Sequence, residues 1–243
     1  MTIDAAVVAG SAPEAIKECA TNRSADLIVM TTHGLTGWNR AWIGSVADAV
    51  VRMVTMPVLL CRPLEPAAAG LPGRFERVLI ALDGSAEAEQ VLPHAVELGG
   101  NARFVLLRVV RPVVTPMHPY AYAALTWETD DSATEAVVTH ARDYLNGVAQ
   151  RIRANHPAAR VDVDVLLAER TGTAIVEAAR HYEADLVAVT THARRGVRLV
   201  LGSVADKVLR GAHGSVLVLR PTAVAAIGDE SGAAVAEAVT GRE

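Results

Sequence analysis

The sequence predicts an α/β protein built on a doubly wound, mostly parallel sheet, five strands in its complete domain, and two observations carry that reading. Short apolar runs rich in β-branched residues, such as Leu186 to Val189 and Val216 to Leu219, have the length and content of strands buried on both faces. They alternate with segments of helical period, and alternation of this kind means right-handed crossovers and helices on both sheet faces. The unit from Asp185 to Pro221 is the clearest: strand, polar loop, a helix opening at Gly202-Ser203 with Val204, Val208 and Leu209 on one face, then strand.

That unit occurs twice. Asp26 to Pro63 repeats Asp185 to Pro221, matching Thr31-Thr32-His33 to Thr190-Thr191-His192, Gly44-Ser45-Val46-Ala47-Asp48 to Gly202-Ser203-Val204-Ala205-Asp206, and Arg62-Pro63 to Arg220-Pro221. The match continues upstream without a gap, from Ala6 to Leu27 against Val165 to Leu186. A period this long signals duplicated domains and not the stacked array of a solenoid, whose repeats run to roughly 20–50 residues.

Taken in order, residues 1–63 read as the second half of a domain. Ala5 to Val8 is predicted as a strand, Ala12 to Arg23 as a helix with Ala15, Ile16 and Cys19 inward, Leu27 to Met30 as a strand, Ser45 to Met53 as a helix and Val58 to Leu60 as the last strand. The counterpart of Phe75 to about Arg160 is missing from this repeat, so its apolar strand edges are expected to be exposed. A truncated or misassigned chain start, or packing on another surface, would each account for that.

Residues 64–74, with their Pro, Ala and Gly, read as a linker, and a complete domain follows over 75–221. Its first strand, Val78 to Leu82, runs into Asp83-Gly84-Ser85, with Ser85 as helix N-cap and one helix over Ala86 to Leu98 ended by Gly99-Gly100. Phe104 to Val110 is the second strand and Arg111 to Thr129 a long loop. A helix over about Ser132 to Asn155 then leads to a strand at Val161 to Leu167. The tail, 222–243, has no bulky apolar anchor, and disorder or a short marginal helix is expected there.

Bulk properties exclude several classes. A net charge of −4 with scattered Lys and Arg gives no basic field for nucleic acid. No signal-peptide pattern opens the chain and no apolar run approaches the roughly 18 residues needed to span a bilayer, so no membrane association and a cytoplasmic location are expected. Cys19 and Cys61 lack metal-ligand spacing and read as buried free thiols, and no metal site is expected. The recurrent His33 and His192 have no nucleophile beside them in any recognisable motif, and HExxH, Walker A and GxSxG patterns are absent, so no catalytic residue is assigned and the chain is read as a non-enzyme. Asp48 and Asp206, three residues beyond Ser45 and Ser203, suit a capping box with Asp in place of Glu. Trp38 and Trp42, four apart, suit interface packing.

The GSVAD turn, the TTH segment before it and the closing VLVLRP resemble the universal stress protein family, over nearly the whole chain apart from the linker and tail. That resemblance implies a Rossmann-like domain of the adenine-nucleotide alpha hydrolase-like type, a stress-response role, and adenine nucleotide, ATP with Mg, as the ligand of those members that bind one; other members bind none. Carried over by position, it implies that Asp83 contacts the nucleoside, that Ala81, Leu82 and Val109 line the adenine, that Thr190, Ala193, Gly202, Ser203 and Val204 belong to the phosphate loop and its turn, and that Val189 is also a cofactor-binding position. From the residues alone, Asp83 lies where open α/β sheets bind ligands, and equally suits a plain turn before a helix. Gly202-Ser203 at a helix start offers unpaired N–H groups to an anion.

The phosphate loop departs from the family pattern of Gly, two residues, Gly, nine residues, then Gly with Ser, Thr or Asn. The first repeat keeps the nine residues between Gly34 and Gly44 but has Thr31 at the first glycine; the second has Thr190 and Ala193 at both early positions and eight residues before Gly202. Arg194, Arg195 and Arg198 could meet phosphate charge in compensation, with Gly196 as an added turn, or form a solvated face. The competing reading is a nucleotide-independent interaction module whose last strands, Val58 to Leu60 and Val216 to Leu219, pair edge to edge to join domains or subunits.

Overall fold

The computed structural model describes residues 3–31, 43–62, 74–116, 127–191 and 201–222. The linker, the tail beyond Thr222, the loops holding His33, Gly34, Trp38 and Trp42, and those holding His192, Ala193, Arg194, Arg195, Gly196 and Arg198 lie outside the described residues.

From the amino terminus the elements are α1 (Ala12–Asn22), β1 (Ile28–Thr31), α2 (Ser45–Met53), β2 (Val58–Cys61), β3 (Arg77–Ala81), α3 (Ala86–Glu89), α4 (Leu92–Gly99) and β4 (Arg103–Val110). Then come β5 (Val114–Pro116), β6 (Trp127–Thr129), α5 (Asp131–Asn155), β7 (Arg160–Leu167), α6 (Thr171–His181), β8 (Leu186–Thr190), α7 (Ser203–Gly211) and β9 (Ser215–Leu219). Seven strands form one sheet in the order β1-β2-β9-β8-β3-β4-β7. The order β7-β4-β3-β8-β9 is the five-stranded doubly wound sheet expected of the complete domain, and β1 and β2 of the first repeat extend it.

The joint between the repeats is the single antiparallel pairing in that sheet. β2 lies against β9 with Val58 opposite Val218, Leu59 opposite Leu217 and Leu60 opposite Val216, while every other ladder in the sheet is parallel. The last strands therefore meet within one chain, as the interaction reading has them joining domains. Both strands are buried along their whole length, and each fully buried aliphatic side chain there contributes about 1.5–3 kcal/mol relative to exposure. The paired helices α1 and α2, and α6 and α7, cover one sheet face around a core that includes Val50, Leu60, Val187, Val208 and Val216. Helices α3, α4 and α5 cover the other face around Ile80, Phe104, Leu106 and Leu145.

Four expectations are corrected. Ala5 to Val8 is not a strand: residues 3–9 take no regular structure and are exposed throughout. In the second repeat the corresponding strand, β7, is held only by β4, and among the described residues no strand lies beyond β1 at that end of the sheet. The helix expected over Ala86 to Leu98 is two helices, because Pro93 has no N–H to donate to Glu89 and its ring crowds that carbonyl. The long loop after β4 contains a short antiparallel ribbon, β5 with β6. The capping boxes do not form: Gly44 and Gly202 are the N-caps, leaving Ser45 and Ser203 inside the helices without side-chain caps. Asp48 and Asp206 instead pair with Arg52 and Arg210 four residues on.

Other details follow the expectation. Ser85 Oγ accepts from the N–H of Ala88 at 3.1 Å, and Gly100 closes α4 with a φ of 55° that a side chain rarely tolerates. Cys61 is buried as a free thiol, as expected, but Cys19 departs from the expectation and is only half-buried.

Candidate functional site

Strands β3, β4 and β8 are parallel, so their carboxyl ends share one edge of the sheet. After β3 the chain crosses to the face covered by α4, and after β8 to the face covered by α7. The gap between β3 and β8 is thus a topological switch point, the place where open α/β sheets bind ligands.

Asp83 stands at its lip. Its Oδ1 accepts from the main-chain N–H of Ser85 at 2.9 Å and from Ser85 Oγ at 2.6 Å, so the carboxylate folds the turn that Ser85 then continues as N-cap of α3. Gly84 makes that turn with a φ of +96°, and a Cβ there would lie 2.9 Å from Nη1 of Arg108. Arg108 in turn lies over the ring of Tyr144, 5.4 Å from its centroid, a cation–π arrangement. Burial first, and then the nearby Glu89 and Asp83 carboxylates, push the Tyr144 hydroxyl above its ordinary pKa, opposed by Arg108. Arg108 and Tyr144 were not anticipated from sequence; the contacts that bring them under Gly84 join β4 and α5 and have no local signature.

Ala81, Val109 and Val204 are half-buried and pack against the core cluster on the α6–α7 side of the sheet, which contains Val189. Thr190 ends β8 at the same edge, and Gly202 begins α7, whose first turn carries no side-chain cap. Ser203 is exposed. Leu82 departs from this group. Its side chain is buried in the opposite core layer with Ile80 and Leu106, because adjacent residues of an extended chain face opposite ways. It therefore packs on the opposite side of the sheet from Ala81. Ala193 lies outside the described residues. Among the described residues no group of three His, Cys, Asp or Glu side chains is placed to hold a metal ion, and no helix is long and apolar enough to cross a membrane.

This geometry defines an α/β domain whose parallel sheet has its switch point between β3 and β8. The model of the universal stress protein family matches residues 2–62 and 74–220, and the chain belongs to that family. A universal stress protein of Mycolicibacterium smegmatis is 28% identical over 207 residues, 82% of this chain and 63% of its own length. This chain therefore spans less than two thirds of that relative. Universal stress protein A homolog 2 of Coxiella burnetii is 28% identical over 151 residues, 60% of this chain and 95% of that protein. Among solved structures, a functionally unknown protein of Pseudomonas aeruginosa matches with a TM-score of 0.58 at 16% identity, over 88% of this chain and 69% of the other. A universal stress protein of Archaeoglobus fulgidus matches with a TM-score of 0.57 at 19% identity, over 86% and 66%. These structural likenesses concern the fold.

Proposed function

We propose that the chain is a cytoplasmic stress-response module that binds an adenine nucleotide, ATP with Mg, at the β3/β8 switch point and acts by changing conformation or partner affinity, without turnover. What supports this reading is that the topology brings three unlike features to one sheet edge: the half-buried apolar residues Ala81, Val109 and Val204, the exposed carboxylate of Asp83, and the uncapped first turn of α7 at Gly202-Ser203. An adenine ring would lie on the first, ribose hydroxyls would donate to the second, and phosphate would meet the N–H groups of the third.

A second reading, a nucleotide-independent interaction module, is favoured by two observations. Asp83 Oδ1 is engaged by its own turn, and Thr190 and Ala193 occupy the positions where the family's phosphate loop has glycine. Calorimetry of Mg-ATP against the whole chain, beside Asp83→Ala, separates the two. The nucleotide reading expects a Kd near the micromolar range, about −8 kcal/mol at 1 μM, weakened at least about ten-fold by the substitution. No heat and no thermal shift at millimolar Mg-ATP would overturn it in favour of the interaction module.

A further inference from the structure

The two repeats bend the chain alike at the start of their first shared strand. Ser24 and Glu183 are the non-glycine residues with positive φ among the described residues, both at 49°, and they are counterparts in the repeat. Around them the hydrogen bonds repeat: Ser24 N–H to Thr21 O at 3.1 Å and Ala25 N–H to Ala20 O at 2.9 Å, against Glu183 N–H to Arg180 O at 3.0 Å and Ala184 N–H to Ala179 O at 2.8 Å. This turn delivers an aspartate to the start of the strand in both, Asp185 before β8 and Asp26 before β1.

The two aspartates differ in what they meet. Asp185 receives an incoming strand: its Oδ2 accepts from Glu76 N–H at 2.7 Å and its Oδ1 from Arg77 N–H at 3.0 Å, two consecutive amides at the start of β3. From there β3 runs parallel to β8, with Val78, Leu79 and Ile80 opposite Leu186, Val187 and Ala188. Asp26 is exposed, and no donor reaches its carboxylate among the described residues. The edge behind it is open. Val29 is 54% exposed where its counterpart Ala188 is 0% exposed, and residues 3–9, the counterparts of residues 162–168 in and just after β7, leave Ile3, Val7 and Val8 in solvent.

We propose that the β1 edge, with Asp26 at its head, is an acceptor for a parallel β-strand apolar on both faces, supplied by a βαβ unit of the kind that residues 74–110 form. One occupant accounts for both exposed regions. In the second repeat the strands between β8 and the β7 position are β3 and β4; a unit bringing two such strands would cover β1 with the first and give residues 3–9 a partner with the second. The main-chain ladder supplies affinity and the Asp26 carboxylate sets the register by taking two successive N–H groups. A second copy of this chain does not fit the role, because its own β3 is already flanked on both sides by β8 and β4.

The test uses the full chain carrying Val29→Cys in a Cys19→Ser background and follows alkylation of the introduced thiol. The probe is a separate polypeptide of residues 74–160 of this same sequence. The proposal expects a one-to-one complex in which alkylation slows at least about ten-fold, and in which Asp26→Ala weakens association about ten-fold, the effect of losing charge-assisted hydrogen bonds. Joining the same residues ahead of Thr2 through a flexible linker repeats the test without relying on the probe folding alone. An unchanged alkylation rate in both formats overturns the proposal, as does equal association by the Asp26→Ala chain. Slowing that depends on the concentration of the chain alone would assign the edge to a second copy and overturn this choice of occupant.

Discussion

Arg62, just past β2, donates from Nη2 to the main-chain oxygen of Leu209 in the last turn of α7, at 2.7 Å. Arg220, its counterpart just past β9, returns the same bond in the other direction, from Nη1 to the oxygen of Arg52 in the last turn of α2, at 2.7 Å. The last carbonyls of a helix lack intrahelical donors and carry the negative end of its dipole. Each repeat thus supplies the cation that closes the other's helix, across the β2/β9 seam. Burial of Arg62 lowers its guanidinium pKa from the ordinary value, and it stays charged at any pH where the protein folds.

Arg62→Ala and Arg220→Ala are each expected to cost about 1–3 kcal/mol, the range for a hydrogen bond to a charged group and the carbonyl left behind. Urea unfolding checks this, as a fall in midpoint without a change in slope.

Leu60→Ala should cost more, about 2–5 kcal/mol, because the side chain is wholly buried and lies opposite Val216 in the antiparallel ladder. The diagnostic measurement is amide exchange. Protection should fall in β9 as well as in β2, since the two strands share one core layer; loss confined to β2 would show that the seam does not couple the repeats.

Gly84→Ala is expected to destabilise by about 1–3 kcal/mol, since φ is +96° and the new methyl would meet the Arg108 guanidinium. The same change displaces Asp83, so a ligand that uses its carboxylate should bind more weakly in proportion. A stability loss without any change in Mg-ATP affinity would remove Asp83 from the binding site.

The Tyr182 hydroxyl is pushed up to about 12 by burial, and further by donating to Asp164 Oδ2 at 2.8 Å. Its pKa is raised on folding, so the neutral hydroxyl's contribution to stability is fully present below the unfolded value of 10.0 and is lost as pH rises towards 12. Alkaline unfolding should therefore steepen over that interval and flatten in Tyr182→Phe. Tyrosinate absorbance should show Tyr182 ionising above the ordinary range, with Tyr144 still later.

Much of the fold was legible because its signals are local. The runs at Leu186 to Val189 and Val216 to Leu219 announce buried strands by composition, and Ser85 announces a cap by chemistry. The failures share a cause. Ala5 to Val8 has the composition of a strand, but a strand exists only against a neighbour, and among the described residues none lies beside it. Pro93 signals the break between α3 and α4, but the apolar period that continues through it reads as a single helix. The strand ends legible in the sequence put Ala81, Asp83 and Val109 near the carboxyl edge of the sheet, and the alternation of side chains at the end of β3 separates Leu82 from Ala81. The Arg62 and Arg220 bonds had a signal, the recurrence of Arg-Pro after each last strand, whose meaning depends on the two repeats being antiparallel.

That antiparallel seam has a kinetic consequence. Two strand edges that meet within a single polypeptide open and close in a first-order process, governed by the effective concentration their tether imposes and not by the amount of protein in solution. Dilution that would separate two subunits leaves such a joint closed, so its occupancy is set by temperature and solvent and is indifferent to expression level.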